Sequence, residues 1–162
     1  MEKIYQLRAP RYDIFDVRQG NLSAREYLST EHAILNALRG FFRTRQVVAI
    51  DGGLNDKSTG RINAHAPARI TADKLSSELG KPLNLKGAMF MMRSVMRSYF
   101  WTYFVVDKTK GIYVYEGMSL FFCGLTLQDK RDLETFGVEL DGRSDRAEDE
   151  TLTPEYYCSL QR

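Results

Sequence analysis

A single α+β domain is the fold class this sequence predicts, on three observations. Capping residues precede amphipathic runs at Ser23, Thr71 and Asn84. Runs of β-branched and aromatic residues, bounded by turn residues, lie at 46–50, 102–106, 112–116 and 118–124. The chain has 162 residues, 43% of them hydrophobic, with nine Phe, nine Tyr and one Trp, enough to bury a core without staples.

Taken in order, Ile4–Leu7 and Tyr12–Val17 read as extended, broken at Ala9-Pro10, with a turn at Arg18-Gln19-Gly20-Asn21. Ser23-Ala24-Arg25-Glu26 has the form of a capping box, which places a helix start at Ser23. Apolar residues at Tyr27, Leu28, Ile34, Leu35, Leu38, Phe41 and Phe42 keep the helical period, with a break allowed near Ser29-Thr30. Gln46–Ile50 is strand-like and ends at Asp51-Gly52-Gly53, a turn signal. From there to Ala68 the chain is polar and aperiodic, and long loops of that kind are functional or mobile.

Thr71 caps a helix over Ala72–Leu79 that Gly80 stops, and Asn84 caps a longer one reaching Tyr99 to Trp101. Strands at Thr102–Val106 and Ile112–Glu116, joined through Asp107-Lys108-Thr109-Lys110-Gly111, form a hairpin. Met118–Gly124 is a further strand. Thr126–Phe136 is a polar helix ended by Gly137. One domain over 1–140 is expected, followed by an acidic, partly disordered tail over 141–162.

Helix, turn, longer helix and hairpin over 71–116 is the element order of a winged helix-turn-helix, an architecture that binds duplex DNA with its second helix. On that second helix Leu85, Ala88, Met89, Met92, Val95, Met96 and Tyr99 share the apolar face. Lys86, Phe90, Arg93 and Arg97 form a separate stripe, and Lys108 and Lys110 sit at the hairpin tip. Those six residues are the expected nucleic-acid surface, since Lys and Arg neutralise phosphates and Arg also reads guanine edges. Duplex DNA is the expected partner, in a regulatory or replication role without catalysis. Charge fits this reading and equally a chain whose two ends attract each other: residues 1–70 carry eleven Lys/Arg against seven Asp/Glu, residues 71–122 seven against four, and residues 123–162 five against ten. Long basic chains on the wet face of a helix are also ordinary solvation.

Two other readings stand beside this one. A protein-interaction module, an inhibitor or adaptor, would use an aromatic and Met-rich surface around Phe90 and Met91 and the tail at Pro154–Leu160. A small enzyme would be centred on Asp51 and the 51–68 loop, where Lys57-Ser58-Thr59-Gly60 lacks the glycine spacing of a phosphate loop. No catalytic set, cofactor motif or metal-ligand spacing emerges from His32, His65, Cys123 and Cys158. Cys123, inside Leu120-Phe121-Phe122-Cys123, reads as a buried reduced thiol. The opening residues lack the apolar core of a signal peptide, and no apolar stretch nears the roughly 20 residues that span a bilayer. A cytoplasmic location without membrane contact is the resulting expectation.

Overall fold

The computed structural model describes residues 4–10, 12, 14–53, 72–97, 101–115 and 118–142. Along the chain these form β1 (Tyr5–Leu7), α1 (Ile14–Arg18), α2 (Ala24–Phe42), β2 (Val47–Gly53), α3 (Ala72–Glu78) and β3 (Pro82–Leu83). They continue with α4 (Leu85–Met96), β4 (Trp101–Val106), β5 (Lys110–Tyr115), β6 (Ser119–Cys123), α5 (Leu127–Thr135) and β7 (Leu140–Gly142). Among the described residues the strands make one seven-stranded sheet in the order β3-β2-β4-β5-β6-β1-β7, each neighbouring pair antiparallel. The architecture is α+β. Among the described residues, no helix is long and apolar enough to cross a membrane.

Local chemistry sets the helix ends. Ser23 accepts from the Glu26 amide at 3.1 Å, but its hydroxyl donates to the Glu26 carboxylate, so the box closes through side chains rather than through the Ser23 amide. The allowed break near Ser29-Thr30 is absent and α2 runs unbroken for 19 residues. Asn84 caps α4 by accepting from the Gly87 amide at 2.7 Å. Thr126 and Asp129 form a full capping box on α5. Gly80 and Gly137 end α3 and α5 with φ of 78° and 108°, values that L-residues with a Cβ resist.

Three expectations change. The segment read as extended through Val17 folds as α1, whose end is tied by the Asn21 and Leu22 amides to the Asp16 carbonyl. β-branched content favoured a strand there, and packing of Val17 and Leu22 against the core overrides it. Asp51-Gly52-Gly53 is not a turn: it continues β2 past a bulge between Ala49 and Asp51. Asp141 and Gly142 belong to the sheet and not to the tail, because β7 pairs with β1 through Tyr5, Gln6 and Leu7. The Thr71 cap, most of the 51–68 loop, residues 98–100, Glu116 and the tail from 143 lie outside the described residues.

The hairpin of β4 and β5 is present, yet it forms the middle of the sheet rather than a wing at the side of a helical unit. Its turn is tight: Asp107 and Lys108 both have positive φ, 49° and 63°, as the central residues of a type I′ turn do. Side chains alternate across the sheet. Phe104, Val106, Ile112, Val114, Leu120 and Phe122 join the main core with α2 and α4. Tyr103, Tyr113, Phe121 and Cys123 point to the other face, with Trp101, Val105 and Tyr115 packed against them.

On that outer face Gly111 leaves room for a crossing. A Cβ there would stand 2.7 Å from the Cys123 sulfur and closer still to the Tyr103 hydroxyl, which lies 3.6 Å from that sulfur. Gly111→Ala is therefore expected to overpack a buried site and to lower stability by about 1–3 kcal/mol in chemical denaturation. A loss within about 0.3 kcal/mol would mean that the tyrosine ring can swing aside.

Below the sheet, Arg45, in the turn that follows α2, ties three elements together. Its guanidinium donates to the Phe41 carbonyl at 2.9 Å and to Asp129 and Asp132 of α5 at 3.0 Å each. Asp107 in the hairpin turn is 4.0 Å from it, and Lys110 reaches Asp129 from β5 at 3.5 Å. Burial opposes the Asp129 charge, yet the Thr126 amide and hydroxyl, Arg45 and Lys110 outweigh it and hold that carboxyl below its ordinary value. The side chain of Gln128, then Arg45, does the same for Asp132.

Candidate anion-binding cleft between two helices

The apolar stripe of α2 contains one charged residue. Tyr27, Glu31, Ile34 and Leu38 recur at four-, three- and four-residue spacing and all four are buried. A carboxylate in that position needs a partner. Arg97, the C-cap of α4, supplies it: Nε donates to one Glu31 oxygen at 2.7 Å and Nη2 to the other at 2.5 Å. Glu31 is 3% exposed and Arg97 fully buried. The pair is bidentate and directional. The Tyr27 hydroxyl donates to the Met96 carbonyl at 3.3 Å, so the amino-terminal half of α2 is held against the carboxy-terminal end of α4 at two points.

A cleft of about 390 Å³ opens above this pair, lined by Leu28, Ser29, Glu31, His32, Leu35, Arg93 and Arg97. Arg93 lies at its edge with about a third of its side chain exposed, and its Nε is 3.8 Å from Glu31. Two guanidinium groups thus stand within 3.8 Å of one carboxylate, and Arg93 brings its charge to the partly solvated mouth. His32 Nε2 is 3.0 Å from the Asn36 amide nitrogen. A charged or strongly dipolar anion is the ligand chemistry this lining suits.

The six residues expected to form the nucleic-acid surface do not converge. Lys86, Phe90 and Arg93 lie along the outward stripe of α4, with Lys86 exposed and Phe90 43% exposed. Arg97 is a correction: the helix ends at Met96, Arg97 takes φ −92° and ψ 2°, and its side chain enters the interior rather than continuing the stripe. Lys110 is engaged by Asp129 and only 13% of its side chain is exposed. Lys108 is exposed in the hairpin turn, next to the Arg45 cluster rather than the cleft. Met91, expected outside the core face, is 2% exposed. Asp51 is exposed on β2 and its carboxylate accepts from the adjacent Gly52 amide.

A second basic stripe escaped the sequence reading. On α2, Arg25, Ser29, His32, Asn36, Arg39 and Arg43 are exposed at alternating four- and three-residue spacing, which is one face of a helix. Its signal is in the sequence as the polar complement of the apolar face. Ser29 and His32 line the cleft, so the α2 stripe passes along it while Arg93 of α4 stands at the other side. Among the described residues, no group of three or more His, Cys, Asp or Glu is placed to hold a metal ion. Comparison with protein-family models, with characterised proteins and with solved structures finds no match to the chain.

Proposed function

We propose that the helical face formed by α2 and α4 binds nucleic acid, with Lys86 and Arg93 on one side of the cleft and Arg25, Arg39 and Arg43 on the other. The observation that carries this reading is the pair of outward basic stripes meeting at the cleft. α4 contains no acidic residue, and α2 contains only Glu26, bonded to Ser23, and the buried Glu31. From Arg25 to Arg43 the stripe runs about 27 Å at 1.5 Å per residue, long enough to track an extended backbone.

The mode differs from groove reading. Seven of the twelve residues of α4 are buried, so the helix offers one stripe rather than the circumference that entering a major groove requires. Phe90, exposed between Lys86 and Arg93, suits stacking on an unpaired base with cations to either side. Single-stranded nucleic acid is accordingly favoured over duplex DNA. The protein-interaction reading has less apolar surface to work with here, since Met91 is inside.

The test is fluorescence anisotropy with labelled single-stranded and duplex oligonucleotides. Lys86→Glu with Arg93→Glu is expected to weaken single-strand binding by about tenfold or more at low salt. Lys108→Glu, at the hairpin turn, is expected to change it by less than about threefold. Equal losses from both variants, or tighter binding of duplex, would replace this surface with a wing-like one.

A further inference from the structure

The outer face of the sheet is apolar and buried. Tyr103 is fully buried and Tyr113 and Cys123 are 1% exposed, although no helical residue belongs to their cluster. Cys123 is disulfide-bonded, which overturns the expectation of a reduced thiol. The chain has two cysteines, and the second is Cys158.

We propose that the C-terminal segment, residues 143–162, lies over this aromatic face and is latched there by a disulfide between Cys158 and Cys123. Reach does not limit the contact. Gly142 pairs with Tyr5, and Tyr5 pairs with Phe122, so the segment starts two strand spacings, about 10 Å, from the residue before Cys123. The sixteen residues from 143 to 158 span up to about 53 Å when extended. Composition fits as well: Pro154, Tyr156, Tyr157 and Leu160 surround the cysteine with apolar surface to set against Trp101, Tyr103, Tyr113 and Phe121.

The latch is redox-dependent. With glutathione disulfide as oxidant, the two thiols lose two protons and two electrons, one S–S bond forms, and two molecules of glutathione leave. Excess reductant reverses the step and frees the segment to leave the face.

Peptide mapping of the full chain after equilibration with glutathione disulfide, without added reductant, is expected to recover one Cys123–Cys158 cross-linked peptide and no free thiol. Two free thiols, or a cross-link between two chains, overturns the latch; the second outcome assigns the face to another copy. The single tryptophan, Trp101, packs against the edge of the cluster and reports on its cover. Reduction of the wild-type chain, and separately Cys158→Ser, is expected to raise acrylamide quenching of Trp101 by about twofold. A cross-link with quenching unchanged in both would show that the segment is tethered but does not cover the face. Because reduction of the wild-type chain reads the same quantity, a variant that fails to fold does not leave the question open.

Discussion

Glu31→Ala is expected to lower stability by about 3–5 kcal/mol, the range for removing one partner of a buried ion pair. Arg97 has no exposed surface, so its charge cannot turn to water once the carboxylate is gone. Arg93 loses its nearest carboxylate at the same time. Replacing both partners with apolar residues, Glu31→Leu with Arg97→Met, is expected to recover most of that loss, because the two buried charges are removed together. Urea midpoints for the three proteins measure this, and a single-variant loss under about 1 kcal/mol would show that water reaches the pair through the cleft.

The second large effect is Arg45→Ala, with an expected loss of about 2–4 kcal/mol near neutral pH. Arg45 serves Asp129, Asp132 and the Phe41 carbonyl together, so its removal loosens α5 from α2 and from the hairpin turn. The effect depends on pH in a defined direction. The Asp129 and Asp132 carboxyls are held below their unfolded value of about 3.9. Groups shifted that way contribute stability above the unfolded pKa and lose it as pH falls through the folded pKa. The difference between wild type and Arg45→Ala is therefore expected to be full near pH 7 and to shrink below about pH 4. Denaturant unfolding at both pH values checks it. A difference that stays constant would assign the loss to the guanidinium packed 4.0 Å over the Phe41 ring rather than to the carboxylates.

Features decided within a few residues were legible in the sequence. The caps at Ser23 and Asn84 and the stops at Gly80 and Gly137 are local hydrogen bonding and backbone sterics, and they mark the starts of α2 and α4 and the ends of α3 and α5. The hairpin of β4 and β5 was legible for the same reason, through its turn. Its place at the centre of the sheet was not, because that place depends on β2 and β6, strands paired from elsewhere in the chain. β7 was missed because three residues beside an acidic stretch carry no strand period, and only β1 gives them partners. Glu31 could have been singled out as a charge on an apolar stripe, but nothing local names Arg97 as its counterpart. Arg97 itself was misplaced by extending α4 past Met96, which carried the side chain onto a stripe that the helix does not reach.

The proposed nucleic-acid surface on the α2 and α4 face is tested most directly by the salt dependence of single-strand binding. For an oligonucleotide of about twelve residues, contacts from Lys86, Arg93, Arg25, Arg39 and Arg43 predict a slope of log Kobs against log salt of about −3.5, at about −0.7 per phosphate. Lys86→Ala with Arg93→Ala is expected to flatten that slope by about 1.4. No binding at low salt, or a slope untouched by the double substitution, would contradict the assignment of this face.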